Sequence, residues 1–75
     1  MEVLLPKWGM TMQEGVISSW LVKVGDTVTE GQPICEVETE KVEAEVEAPG
    51  NGVVLELLVA EGETAEVGSV IARLG

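Results

Sequence analysis

The sequence predicts an all-β fold, a flattened sandwich or barrel built from two similar halves. Its 75 residues leave room for one small domain, residues 1–75, with a single core. Hydrophobic residues make up 45% of the chain but include only two aromatics, so the core must be aliphatic. Valine and isoleucine favour strands because their branched β-carbons pack well on a pleated surface. Nine glycines and three prolines divide the chain into short strands and tight turns.

An internal repeat at an offset of 37 residues predicts the two halves. Residues 15–37, GVISSWLVKVGDTVTEGQPICEV, align with residues 52–74, GVVLELLVAEGETAEVGSVIARL, and eight of the 23 positions are identical. The turn glycine Gly25 aligns with Gly62. A half that cannot bury its own apolar face is expected to pack against its copy, which predicts pseudo-two-fold symmetry.

Strands are expected where apolar residues alternate between these turns. They are predicted near residues 2–5, 15–22, 33–38, 43–48, 53–59 and 70–74, with short extended pieces at Thr27-Val28 and Thr64-Ala65. The loop after the first strand is six residues longer than its symmetry counterpart. The symmetry places this loop, which carries Trp8, Met10 and Met12, beside Lys41.

Charge and cysteine usage exclude several classes of function. A net charge of −10 disfavours binding to nucleic acid and to anionic membranes, and the apolar stretches are too short to span a bilayer. The single Cys35 cannot form an internal disulfide, which fits a reducing compartment. We expect the cytoplasm, or the mitochondrial matrix in a eukaryote. With no histidine and no base for Cys35, we expect neither a hydrolase nor a metal site.

The stretch ICEVETEKVEAEVEAPGNG, residues 34–52, predicts the position of Lys41. Its glutamates have even numbers before residue 39 and odd numbers after residue 42. Since side chains alternate faces along a strand, a hairpin with a two-residue loop at Glu40-Lys41 turns both sets of flanking glutamates to solvent. A register shifted by one residue would bury carboxylates, which is costly. The sequence therefore predicts Lys41 at the tip of a hairpin.

This predicted hairpin breaks two local rules. Glutamates oppose each other at 36 with 45 and at 38 with 43, and like charges in such pairs are mildly destabilising. The Glu-Lys loop also lacks the glycine or asparagine that two-residue turns favour. Broken rules of this kind often mark a functional site. The alternative is an exposed turn lysine that tempers the repulsion within a solvated acidic face.

The segments ETEKVEAEVEAP and LLPKWGMTMQEGVISSWLVKVGDTVTEGQPICEVETEK resemble the lipoyl domains of 2-oxo acid dehydrogenase complexes, and the resemblance covers essentially the whole chain. The family's glycines are matched sixteen residues before Lys41, at Gly25, and eleven after it, at Gly52. The family's usual Asp-Lys-Ala is Glu40-Lys41-Val42 in this chain.

The resemblance implies a barrel-sandwich hybrid that acts as a carrier rather than as an enzyme. It also implies that the domain is part of a dihydrolipoyl acyltransferase. Lipoate would be attached covalently to Lys41 by a lipoate ligase, or by an octanoyl transferase followed by sulfur insertion. The arm would then visit a thiamine-diphosphate decarboxylase, the acyltransferase core and a flavin dihydrolipoyl dehydrogenase of a 2-oxo acid or acetoin complex. The residues expected to aid recognition by the ligase or by these partners flank the lysine or lie in the first loop: Glu38, Glu40, Val42, Glu43, Trp8, Met10 and Met12.

Two alternatives share the expected fold. Biotin carrier domains place biotin on a lysine at the same tip, usually within Met-Lys-Met. Unmodified barrel-sandwich modules occur in membrane-fusion adaptors, usually between long helices, and need no lysine at the tip. The lipoylated carrier of glycine cleavage is normally longer, with helical parts that this chain lacks.

Overall fold

The chain forms two four-stranded antiparallel sheets, as described for residues 1–9 and 12–75 by a computed structural model. The strands are β1 (Glu2–Leu4), β2 (Glu14–Trp20), β3 (Thr27–Val28), β4 (Pro33–Glu38), β5 (Glu43–Glu47), β6 (Gly52–Leu57), β7 (Thr64–Glu66) and β8 (Val70–Leu74). Every predicted strand is confirmed, with ends that differ by at most two residues. Within this described part, no helix is long and apolar enough to cross a membrane.

The two sheets are copies of each other. Their strand orders are β1-β8-β6-β3 and β5-β4-β2-β7, and the 37-residue offset converts β2 into β6, β3 into β7 and β4 into β8. Backbone hydrogen bonds recur at the same offset: Leu21 N donates to Ile34 O and Leu58 N to Ile71 O, both at 2.9 Å. The predicted pseudo-two-fold symmetry is therefore confirmed.

The short strands β3 and β7 are exchanged between the halves, which the sequence did not predict. Strand β3 pairs with β6 of the second half, and β7 pairs with β2 of the first. The turns before them make matching bonds, from Gly25 N to Val54 O at 2.8 Å and from Gly62 N to Ile17 O at 2.7 Å. Both glycines have positive φ, 96° and 88°, a conformation that side chains disfavour. Because of this exchange, neither half completes its sheet without the other.

The core lies between the two sheets and is aliphatic, as predicted. Its largest fully buried side chains are Leu5, Ile17, Ile34, Ile71 and Leu74, and no polar or charged residue of the described chain is buried. Trp20 lies at the edge of the core: it is half-buried, and its indole Nε1–H donates to Val59 O at 2.7 Å. Edge placement lets the ring pack on the core while its polar nitrogen keeps a partner.

The first and last residues meet at the end of β5 that is far from the hairpin tip. Met1 N donates to Leu74 O at 2.7 Å, and Gly75 N donates to Val53 O at 2.8 Å. The turn after β5 is in contact with the same region, since a Cβ on Gly50 would lie 2.7 Å from Met1 Cε. The hairpin tip thus projects away from the chain ends.

Candidate functional site

Strands β4 and β5 form the hairpin that carries Lys41, in the register predicted from the glutamates. Glu38 pairs with Glu43, and Thr39 N donates to Val42 O at 2.8 Å. Glu40 and Lys41 are therefore the two residues that connect the strands, and both are exposed. The predicted like-charge pairs are present, and all of these strand glutamates face solvent: Glu36, Glu38, Glu43, Glu45 and Glu47.

Thr39 closes the hairpin tip, a role that the sequence analysis missed. Its Oγ1 accepts a hydrogen bond from Val42 N and donates to Val42 O, both at 3.1 Å. These bonds substitute for the turn-forming glycine or asparagine that Glu-Lys lacks. The sequence did contain a signal for this role, because a threonine stands immediately before the loop, and serine and threonine stabilise turns through their side chains.

The lysine side chain extends into solvent at the tip. The salt bridge found among the described residues joins Arg73 to Glu2 at 3.7 Å and does not involve Lys41. No hydrogen bond among the described residues involves the Lys41 side chain either. The predicted recognition residues Glu38, Glu40 and Glu43 are exposed around it, and Val42 is 48% exposed. An enzyme can thus approach the Lys41 amine without first breaking a contact of this domain.

The long first loop lies beside the hairpin, as the pseudo-symmetry predicted. Trp8 and Met12 line one side of an open groove of about 740 Å³, and residues 38–42 line the other. Trp8 N donates to Met12 Sδ at 3.4 Å and Met12 N donates to Gly9 O at 3.1 Å, so hydrogen bonds within the loop hold the Met12 side chain against the Trp8 backbone. Met10, predicted to belong to the same surface, lies outside the described residues.

Gly15 lets the two sides of this groove approach each other. A Cβ at this position would lie 2.6 Å from Val37 Cγ1 and 3.5 Å from both Met12 Cε and Thr39 Cγ2. A contact of 2.6 Å is well inside van der Waals distance, so a larger residue at this position would push against the Val37 side chain of the neighbouring strand β4.

The two predicted turn glycines are required for different reasons. Gly25 has positive φ, as described above. Gly52 is required by a close approach, because a Cβ on it would lie 2.6 Å from Gly75 O.

Cys35 is fully buried and its thiol is unreactive at neutral pH. Burial raises the pKa of its thiol from 9.0 to about 11; a backbone hydrogen bond from Val46 lowers it and the Glu36 charge raises it further. The thiol is therefore protonated at neutral pH and is a poor nucleophile. In the described part of the chain, no group of three or more histidine, cysteine, aspartate or glutamate residues is placed to hold a metal ion.

An exposed lysine at a hairpin tip, on two symmetric sheets, defines a carrier domain of the biotinyl/lipoyl class. The Biotin_lipoyl family model, described as "Biotin-requiring enzyme", matches residues 1–74, and the chain belongs to this family.

Similar curated proteins are acyltransferase components of multienzyme complexes. The chain is 45% identical to the dihydrolipoyllysine-residue acetyltransferase component of the pyruvate dehydrogenase complex of Corynebacterium glutamicum. It is 42% identical to the corresponding component of the acetoin cleaving system of Bacillus subtilis, and 47% identical to the succinyltransferase component of the 2-oxoglutarate dehydrogenase complex of Staphylococcus saprophyticus. Each match covers 99% of this chain but only 11%, 19% and 18% of the relative, respectively.

A solved structure gives the same assignment. The lipoyl domain of the 2-oxoglutarate dehydrogenase complex from Azotobacter vinelandii superposes with a TM-score of 0.79 and 29% sequence identity. The match covers 100% of this chain and 95% of that one. The barrel-sandwich fold and the lipoyl-domain resemblance are thereby confirmed.

Proposed function

We propose that this chain is a carrier whose Lys41 bears lipoate in amide linkage to Nζ, and that the domain itself catalyses no reaction. The observation that carries the proposal is the position of Lys41, exposed at a closed hairpin tip and engaged by no described side chain. Of the other basic residues, Lys7 lies in the loop after β1, Lys23 lies between β2 and β3, and Arg73 lies in β8, so none of them is a residue of the hairpin tip.

Lipoate rather than biotin is supported by two observations. The relatives reported above carry dihydrolipoyl acyltransferase names, although the family model covers both cofactors. The neighbours of the lysine are Glu40 and Val42, and not the methionines usual in biotin carriers. Biotin remains the second candidate, because the fold and the tip are common to both classes.

The residues around Lys41 have two roles in this proposal. Thr39 fixes the tip, so the amine is presented in one backbone geometry to any enzyme that modifies it. Glu38, Glu40 and Glu43 give the tip a local negative charge, which favours a ligase with a basic surface at its active-site entrance. When attached, lipoate supplies a redox-active disulfide that carries acyl groups and reducing equivalents.

A tethered cofactor serves several active sites without being released. Attachment to a small domain keeps the local concentration of the cofactor high at each partner, to an extent set by the reach of the tether. The names of the relatives support a complex that acts on a 2-oxo acid or on acetoin. The partners in such a complex would be a thiamine-diphosphate decarboxylase, an acyltransferase core and a flavin dihydrolipoyl dehydrogenase.

Ligase specificity tests the proposal. The chain is incubated in parallel with a lipoate ligase plus lipoate and with a biotin ligase plus biotin, and intact and peptide masses are measured. We expect a lipoyl mass increment on the Lys41 peptide alone, lost in Lys41→Arg and retained in the matched variant Lys23→Arg. Biotin alone at Lys41 would favour the second candidate, and no addition by either active ligase would indicate an unmodified structural module.

A further inference from the structure

We propose that the groove beside the hairpin is a resting site for the lipoyl arm on this domain itself, an inference that rests on the proposed function. Lys41 is one of the residues that line the groove, so a group attached to its amine starts at the groove's rim. The volume of about 740 Å³ lies within the range of about 300–1,000 Å³ typical of small-molecule sites. The tether removes most of the entropic cost of reaching the groove.

The lining of the groove matches the chemistry of the arm. Trp8 and Met12 are half-buried, and they are held together by the hydrogen bond from Trp8 N to Met12 Sδ. Val16 and Val42, 38% and 48% exposed, add aliphatic surface. The lipoyl arm is a saturated chain that ends in two sulfur atoms. Methylenes pack on such side chains, and sulfur makes favourable contacts with aromatic rings.

The charges around the groove favour a lipoyl arm attached to Lys41 over free lipoate. Three carboxylates, Glu14, Glu38 and Glu40, lie in its lining. In the unmodified chain these three carboxylates outnumber the single Lys41 ammonium in the lining and so repel free lipoate or any other fatty acid anion, whereas the amide bond to Lys41 leaves the arm uncharged. The groove therefore favours the arm of its own domain over the free acid.

The two tryptophans provide a reporter and an internal control for nuclear magnetic resonance. Trp8 lines the groove, whereas Trp20 ends β2, four residues along the strand from Val16, the last β2 residue in the groove lining, or about 13 Å at 3.3 Å per residue. Trp20 is also fixed by its bond to Val59 O. Contact with the arm should shift the indole signal of Trp8 and leave that of Trp20 unchanged.

The experiment compares the isotope-labelled 75-residue chain before and after lipoylation, with the mass increment on Lys41 confirmed first. We expect nuclear Overhauser contacts from the arm methylenes to the Trp8 ring and to the Met12 methyl group, together with a selective shift of the Trp8 indole N–H. Free lipoate added to the unmodified chain should produce neither effect. In lipoylated Trp8→Ala the contacts to Met12 should weaken, with the Trp20 signal reporting that the fold is intact.

The contrary outcomes distinguish failure of the proposed function from failure of this inference alone. A chain that acquires no lipoyl mass overturns the proposed function and this inference with it. A chain lipoylated on Lys41 whose arm shows contacts only within the modified residue, and whose Trp8 signal is unchanged, overturns this inference alone. Equal shifts at Trp8 and Trp20 would also overturn it, because they would indicate a general change in the domain.

Discussion

Thr39 and Val42 are joined by three hydrogen bonds that close the two-residue loop formed by Glu40 and Lys41. The backbone bond closes the β4–β5 ladder, and the threonine hydroxyl both donates to and accepts from the backbone of Val42. A loop sequence that is poor for a tight turn is thus stabilised from outside the loop. The consequence is that Glu40 and Lys41 can be chosen for chemistry instead of for turn formation.

Removal of the Thr39 hydroxyl should loosen the tip. Thr39→Val keeps the branched shape but loses both side-chain bonds, and we expect a loss of about 1 kcal/mol in the free energy of unfolding. Modification of Lys41 should slow, because the amine is presented in more than one geometry. Thr39→Ser retains the hydroxyl and is the control. If the valine and serine variants had equal stability and equal ligase rates, the proposed closure would be wrong.

Removal of one charge from the Glu38–Glu43 pair, the like-charge pair nearest the tip, should have opposite effects on the stability of the domain and on its recognition by the ligase. Glu43→Gln removes the repulsion with Glu38, and we expect stabilisation of about 0.2–1 kcal/mol together with slower lipoylation of Lys41. The matched control is Glu45→Gln, which relieves the pair with Glu36 farther from the tip. It should stabilise to a similar extent and leave the ligase rate unchanged. An equal slowing in both variants would argue against a specific role for the carboxylates at the tip.

A methyl group added at Gly15, which lines the groove, should displace the side chains around it. Gly15→Ala places a Cβ against Val37 Cγ1, and we expect destabilisation of about 1–3 kcal/mol, measured by denaturant unfolding. Signals of Met12 and Thr39 should shift, since the added carbon contacts both residues. Gly9→Ala is the control, because a Cβ there meets nothing within 4 Å. Similar unfolding midpoints for the two variants would contradict the close approach.

The buried thiol of Cys35 should make stability fall at high pH. Its pKa is about 11 in the folded chain against 9.0 as the reference, so between these values the unfolded state has released a proton that the folded state still holds. The stabilisation is complete below pH 9 and is lost as pH rises toward 11, by on the order of 2 kcal/mol.

The measurement compares unfolding free energies at pH 8 and pH 11 for the natural chain and for Cys35→Ala. The variant should lose less stability over this interval, because all other titrating groups are common to both chains. Alkylation of Cys35 at pH 8 should be slow without denaturant and fast with it. Parallel stability profiles for the two chains would show that the thiol is not shielded as described.

Local rules in the sequence determined the hairpin and the strands. The parity of the glutamates on either side of Lys41 fixes the register, because burial of carboxylates is too costly for any shifted pairing. The 37-residue repeat and the aligned Gly25 and Gly62 fix two equivalent halves. These features could be predicted because each depends on neighbours along the chain or on a simple alternation.

Tertiary structure alone decided how the halves combine. The exchange of β3 and β7 depends on pairing partners far away in sequence, and the consecutive burial of Ile34 and Cys35 depends on a register shift between Pro33 and Cys35. Alternation alone would have turned one of these two side chains to solvent. The groove between Trp8 and Lys41 likewise exists only because symmetry brings two distant loops together, and Gly15 lets them approach.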